Sequence, residues 1–537
     1  MTDAVVIGAG QNGLVAANIL ADQGWAVTVL EAQPYPGGAV RSAELFRPGC
    51  THDLFSAFYP LAAASPALAN LDLETWGQRW SRAPLVLANP LADGSCPVLS
   101  TDPEETAASA EELGTGDGDR WLQMWADWQR LGPDLVQAFL GPFPPLAATA
   151  RLAAGLRAEL LEFGRFALLP ARRMAAEAFR GPGPGLLIAG NAGHSSLAPE
   201  AVLSGFYGWF MTMLGQEHGF PVPTGGSSEL INALIRRLAA RGGTVECSQR
   251  VTRIAVEGGR AVGVETAGGG SLRAQRAVLA DVGAPALYLE LLSPASLPSR
   301  VFDQLCRFEY DPGTFKVDWL LDGPIPWTAE PARRAGTVHV ADGLDHFTDV
   351  AAAIHTGRVP ERPHLVVGQM TTTDPTRSPP GTETAWAYCH VPNTAGDGSS
   401  WSAAERDAHV ARIERVMDAR APGFSARIVG RHVLTPPNLE RLNANLVGGA
   451  INGGTAELYQ QLVFRPLPGL ARARTPVTGL YLASASAHPG GGVHGGAGAG
   501  AARAALQDDR YRFLPAVRAG LHRRRRTRQP AEVAAGD

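Results

Sequence analysis

DAVVIGAGQNGLVAANILADQGWAVTVLE, residues 3–31, reads in order as a strand, a glycine turn, a helix, a second strand and an acid. The apolar run at 4–7 suits a parallel strand buried on both faces. Gly8, Gly10 and Gly13 follow as G-x-G-x-x-G. The first glycine permits a tight turn, the second lets backbone approach a pyrophosphate, and the third lets the helix pack close to its strand. Residues 14–23 then read as the helix, Gly24 as its left-handed stop, and residues 26–30 as the second strand. Amides at the helix start would face the anion. Glu31, eighteen positions after Gly13, can accept hydrogen bonds from ribose hydroxyls and would repel a 2′-phosphate, which argues against NADP. A bare glycine pattern fits any strand-to-helix turn; the two strands and the acid make this one a dinucleotide fingerprint.

With 537 residues the chain has room for two or three domains. Hydrophobic residues make up 45% and charged residues only 18%, against roughly 25% charged in an average soluble protein. Much apolar surface therefore needs either burial or a greasy ligand. A net charge of -4 argues against nucleic acid as a partner. Cys50, Cys96, Cys247, Cys306 and Cys389 are scattered and form no C-x-x-C, so neither a disulfide framework nor a redox dithiol is expected. No metal is expected either. The N-terminus lacks a basic n-region and no apolar run reaches the eighteen or so residues of a membrane span. A cytosolic location is the expectation, with peripheral membrane contact left open.

Directly after Glu31 comes PGGAVRS, residues 36–42, a second glycine turn that must lie near the first. The amides of Gly37 and Gly38, with Arg41 and Ser42, could meet the same pyrophosphate; a surface turn with a solvated Arg is the alternative. The fingerprint followed at once by this glycine pair resembles the FAD-binding start of the phytoene desaturase-like flavoproteins, the carotenoid and retinoid oxidoreductase group. Many relatives carry Arg immediately after the pair, whereas this chain has Ala39, as one branch of the group does. The resemblance implies FAD as cofactor and an α/β fold: a Rossmann-like FAD-binding domain, built of a parallel sheet plus a β-meander, with an inserted mixed-sheet and helical substrate domain.

On that plan residues 1–100 hold the first part of the FAD-binding domain, 101–215 a helical insert, 216–285 the second part, 286–445 the substrate domain, 446–510 the C-terminal part of the FAD-binding domain, and 511–537 a basic, disordered tail. Within residues 46–59, FRPGCTHDLFSAFY, His52 and Asp53 are either hydrogen-bonded packing or a pair for proton transfer. Thr101 to Glu105 begin a helix with a cap residue, an early proline and two acids. Trp121, Trp125 and Trp128 share one helical face, which reads as core, as a lid over an apolar tunnel, or as a patch that dips into a bilayer. A Pro-Thr-Gly-Gly-Ser-Ser entry at 223–228 leads into an amphipathic helix over 229–241, with Ser227 or Ser228 as its cap. Short β runs at 244–247, 251–256, 261–266 and 277–280 suggest a meander. The resemblance places Val251 beside the adenine, bound through its backbone. Strand-like runs between 314 and 391 alternate with Pro and Gly loops and suit an antiparallel or mixed sheet.

The second chemical motif is HPGGGVHGGAGAG, residues 488–500, set between a strand at 479–484 and an Ala-rich helix from 501. Flanked in this way, the glycines read as a tight ligand loop rather than a linker. Backbone without side chains can approach a flat ring, and a helix N-terminus there would stabilise negative charge on a reduced flavin. The segment closely resembles the family's flavin-ring loop, which implies ring contacts from Pro489, Gly490, Gly491, Gly492 and Val493, with His488 opening the loop.

The expected function is an FAD-dependent oxidoreductase that takes hydride from an apolar, polyene-like or lipid-like substrate to flavin N5, with oxygen or a quinone as electron acceptor. Candidate proton-transfer groups are His488, His52 and Asp53, with His194, Tyr207 and His494 behind them. An amine oxidase or isomerase on the same fold is one alternative. A prenyl-binding or lipid-binding protein of the GDP-dissociation-inhibitor type, without a working flavin, is the other. Arg523 to Arg526 and Arg528 form a basic run that could meet an anionic membrane.

Overall fold

The computed structural model of the chain describes residues 1–393 and 401–511. The basic run at 523–528 lies outside the described residues. Five parallel strands form the nucleotide-binding sheet, in the order Leu480–Leu482, Ala277–Ala280, Ala4–Ile7, Val27–Leu30 and Thr244–Glu246. Ala4–Ile7 is central and buried along its length, which is why it needs four apolar residues in a row. Helices Gln11–Asp22, Ser228–Ala239 and Gly496–Arg510 cover one face through a continuous core of Leu, Val and Ala.

The first helix starts at Gln11, three residues before the expected Leu14, because Gly10 is the extended residue that caps it and Gly13 lies inside its first turn. A Cβ at Gly13 would stand 2.1 Å from the Gly8 carbonyl oxygen, so the glycine is a packing requirement. Gly24, at φ 76°, follows the helix end as expected.

The meander has three antiparallel strands, Val251–Glu257, Arg260–Thr266 and Ser271–Arg273, the first two joined through Gly258 and Gly259 at positive φ. The two flanking short runs, Thr244–Glu246 and Ala277–Ala280, are strands of the parallel sheet.

A seven-stranded mixed sheet forms the substrate layer, ordered Ile428–Leu434, Gly313–Leu321, Glu383–Val391, Leu365–Gln369, Ala335–Val340, Leu85–Ala88 and Val98–Leu99. The last two strands lie before residue 100, so the substrate layer begins inside the segment expected to be wholly FAD-binding. Leu85–Ala88 pairs in parallel with Ala335–Val340, a partner about 250 positions away that no local pattern announces. Alternation decides the two faces. Phe315, Val317 and Trp319 join a core with helix Ala403–Arg420, while Thr314, Lys316 and Asp318 point the opposite way.

Residues 103–218 form the helical layer. Trp121 and Trp128 are buried in its core and donate from Nε1 to Gln216 and Glu217, at 2.8 and 2.7 Å. Trp125 is partly buried against the same core, so the tryptophan face is a packing face. Helix Gly183–Gly193, buried throughout, runs beside the substrate sheet and ends at His194. Among the described residues no helix is long and apolar enough to cross a membrane.

Candidate active site

One cavity runs from the fingerprint to the substrate sheet. Gly10, Gln11, Asn12, Gly38 and Asp281 line its nucleotide end, Ser484 to Ser486 and Gly491 to Val493 its middle, and His194, Tyr207, Lys316, Val366, Trp386 and Tyr388 its far end. Its glycines are cradles with no spare room. A Cβ on Gly10 would stand 2.8 Å from Asp281 Oδ2, and one on Gly491 would stand 2.4 Å from Asn452 Oδ1.

The two glycine turns at the N-terminus meet as expected. Gly37 donates its N–H to the Ala9 carbonyl at 2.9 Å, and Gly37 and Gly38 both take positive φ, which brings Gly38 against Gly10. Glu31 accepts from the amides of Ala9 and Gln33, each at 2.8 Å, one per carboxylate oxygen. Each oxygen keeps a lone pair, so ribose hydroxyls can still be bound. Residues 246–249 run alongside, with the Gln249 amide on the Glu31 carbonyl at 2.8 Å, and this carries Val251 to the same edge.

Arg41 is buried between two rings, 4.1 Å from the Tyr35 centroid and 5.3 Å from that of Phe55, with its pKa lowered by that burial. Ser42 faces inward: its hydroxyl donates to Asp53 Oδ1 at 2.7 Å and its amide donates to the Ser228 hydroxyl at 2.8 Å. The helix at 228 therefore has no side-chain cap; both serines expected for that role are tied to Ser42.

The pair His52 and Asp53 requires a correction. Asp53 is fully buried, ion-paired to Arg377 at 2.9 Å, and accepts from the Ser227 amide at 2.8 Å. Arg377 also holds Asp374 at 2.9 Å, so the Asp53 carboxylate is an anchor between the two layers. His52 sits edge-on to Phe46, with centroids 5.0 Å apart, and burial pushes it down to about 4. Neither residue is in the described cavity lining, nor is His488. His488 instead packs on Phe143 with ring centroids 4.6 Å apart, facing the helical layer, and burial lowers it to about 4. It fixes the start of the loop, while Gly491, Gly492 and Val493 reach the cavity and Pro489 and Gly490 lie behind them against Gly496 and Arg465. His494 accepts from the Gly496 amide through Nδ1 at 3.0 Å, at the start of the last helix.

Asp281 escaped the sequence reading. It accepts the Gly13 amide at 2.9 Å, and burial, reinforced by the Glu31 charge, pushes it up to about 7. Its place directly after a third parallel strand was the available signal, since ligands of such sheets gather at the strands' carboxyl ends. Lys316 was also missed. Its ammonium lies against Asp318 and donates to the Asp53 carbonyl at 2.8 Å.

Residues 6–71 match the model of an NAD(P)-binding Rossmann-like domain, and residues 130–338 that of flavin containing amine oxidoreductases. The chain is 26% identical to pyridine nucleotide-disulfide oxidoreductase domain-containing protein 2 of Mus musculus, over 94% of this chain and 93% of that protein. It is likewise 26% identical to one chain of the limonene dehydrogenase of Castellaniella defragrans, over 94% of each, and to a neurosporene-forming phytoene desaturase of Rhodobacter capsulatus, over 93% of each. Among solved structures, putrescine oxidase superposes with a TM-score of 0.60 at 17% identity, covering 94% of this chain and 98% of that one. Fold, glycine cradle and matches together define an FAD-dependent oxidoreductase. Within that class, the chain is similar over nearly its whole length to phytoene desaturases and a limonene dehydrogenase.

Proposed function

We propose that the enzyme removes hydride from a neutral, apolar substrate and leaves a C=C double bond. The far end of the cavity carries this reading: it is walled by Trp386, Tyr388, Val366, Met211 and Leu439, and Asp281 and Lys316 are the only Asp, Glu, Lys or Arg side chains in the described lining. Asp281 lies at the nucleotide end, so the substrate end offers a cation and no carboxylate. An ammonium substrate would meet Lys316; a hydrocarbon would bury its surface against the rings, which is worth roughly 25 cal/mol per Å².

FAD, when bound, supplies the hydride acceptor at N5. The chain's own groups would do the rest. Gly8, Gly10, Gly13, Gly37, Gly38 and the acid Glu31 would hold the nucleotide half, Val251 the adenine through its backbone, and Gly491, Gly492 and Val493 the ring. Trp386 and Tyr388, with ring centroids 5.9 Å apart and planes 20° from parallel, both line the cavity and would orient an extended chain and exclude water. Limonene dehydrogenase and phytoene desaturase, two of the relatives, carry apolar hydrocarbons in their names, which supports the choice.

The test is a yellow holoprotein whose flavin bleaches anaerobically with phytoene or limonene and not with putrescine. Bleaching by putrescine, with peroxide released in air, would favour the amine oxidase alternative, which the putrescine oxidase fold keeps open. Colourless protein that binds prenyl chains would overturn both. Oxygen and a quinone remain the proposed electron acceptors, told apart by whether air alone restores the colour. The scattered free cysteines support a cytosolic location, with the bilayer surface as a second place of contact.

A further inference from the structure

If the enzyme forms a double bond, hydride leaves one carbon and a proton must leave its neighbour. Asp53, His52 and His488 are not in the described lining of the cavity. The loop after helix Gly183–Gly193 does face it, through His194 and Ser195, beside Tyr207 and Tyr388. Behind His194 stands His339, on the same side of strand Ala335–Val340 as the lining residue Thr337. The two Nε2 atoms are 2.7 Å apart. His364 follows, its ring centroid 5.6 Å from that of His339. Helix Gly183–Gly193 is shaped to admit this row, because a Cβ on Gly190 would stand 2.3 Å from His339 Nδ1.

Two imidazole nitrogens this close share one hydrogen: both cannot carry one, and two bare lone pairs would repel. When His194 donates through Nε2, its Nδ1 keeps a lone pair that can take a proton. Nδ1 can then accept while the Nε2 hydrogen shifts toward His339. We propose that His194 accepts the proton released on substrate oxidation, and that His339 is a positioning residue that holds its tautomer and shares that proton.

This rests on the reading of a C–H oxidation. One C–H bond yields its hydrogen with both electrons to the flavin. The adjacent C–H bond yields only its proton to His194 Nδ1, and its electron pair becomes the new π bond. Two electrons and one hydrogen enter the cofactor, one proton enters the imidazole pair, and the total charge is unchanged.

The surroundings favour the neutral form of the pair until a counter-charge arrives. Of the titratable groups around the pair, His364 and His390 are buried, and Tyr207 and Tyr388 are half-buried where they line the cavity. Burial pushes His194 down to about 4 and His339 well below its ordinary value, so the resting pair is neutral and keeps a lone pair for a proton. A negative charge gained by the cofactor in the same cavity would then offset the imidazolium.

Holoenzyme labelled with [15N]histidine tests this without any substrate. In the oxidised protein, His194 should show one protonated and one bare ring nitrogen. After anaerobic reduction with dithionite, both signals should move to imidazolium positions in the wild type. His339→Gln, which keeps an acceptor, should preserve that change and His339→Leu should abolish it. Unchanged His194 signals in reduced wild-type protein would overturn the proposal. With whichever probe bleaches the wild-type flavin, His194→Ala should slow bleaching about 100-fold, with partial rescue by added imidazole. Undiminished bleaching would also overturn it. If no hydrocarbon bleaches the flavin, the substrate reading fails while the nitrogen signals still decide the imidazole pair.

Discussion

The Gly495 amide donates to Gln11 Oε1 at 2.7 Å, joining positions 484 apart in the chain. Gln11 Nε2 answers with a longer bond, 3.4 Å, to the Gly492 carbonyl. One buried side chain in the first turn of the fingerprint helix thus holds the C-terminal loop where its glycines enter the cavity. Gln11→Leu would strand a buried N–H, at a cost of about 1–3 kcal/mol. The expected outcome is FAD retention weakened about tenfold or more with little change in circular dichroism, read from flavin absorbance after desalting and from equilibrium dialysis.

Asp53 and Arg377, both fully buried, pin the glycine-turn segment to the substrate layer. Removing the Asp53 charge leaves the buried Arg377 with Asp374 as its one remaining ion partner, and breaking a buried pair costs at most about 3–5 kcal/mol. Asp53→Asn should therefore lower the melting temperature and soluble yield sharply. The rate of flavin bleaching per folded, flavin-loaded molecule should stay near that of the wild type. A large loss in that per-flavin rate, with stability intact, would return Asp53 to the chemistry.

These outcomes track what the residues could disclose beforehand. Gly8, Gly10, Gly13, Gly37, Gly38 and the 491–493 loop were legible as tight turns because close backbone approach demands glycine, and glycine is visible as itself. The strand patterns of 314–321 and 384–391 were legible as strands. Their cavity face was not, since both faces are buried and the polar set Thr314, Lys316 and Asp318 gains its meaning only from the layer opposite. Leu85–Ala88 was misassigned because its parallel partner is remote in sequence. His488 was overvalued for the same kind of reason. Its neighbour Phe143 comes from the helical layer, and no spacing rule connects the two.

Gly498 makes the sharpest packing prediction. A Cβ there would stand 1.9 Å from the Asn12 carbonyl oxygen, backbone that cannot swing aside. The last helix and the fingerprint helix would have to separate. Overpacking of this kind typically costs about 1–3 kcal/mol, occasionally more. Gly498→Ala should lower the unfolding midpoint in denaturant and loosen FAD together. Gly500→Ala, where a Cβ would meet nothing within 4 Å, should change neither.

Asp281 supplies the pH dependence. Its carboxyl is held at about 7, against an ordinary 3.8, chiefly by burial. The folded chain therefore binds a proton that the unfolded chain has already lost between those two values. The stability that Asp281 contributes should fall as pH rises from about 4 through about 7, and its loss should be complete above that. The sign is opposite to that of a salt-bridged carboxylate, whose folded pKa is depressed and whose stabilisation is lost on acidification. Ionised Asp281 would also repel a pyrophosphate held at Gly10, so apoprotein should bind FAD more weakly at pH 8.5 than at pH 6. Asp281→Asn keeps a carbonyl for the Gly13 amide and removes the charge. Its unfolding midpoint and its FAD affinity should both lose the part of the pH dependence that Asp281 contributes over this range. Parallel pH profiles for the wild type and Asp281→Asn would mean that the fingerprint turn tolerates this carboxylate in its charged form.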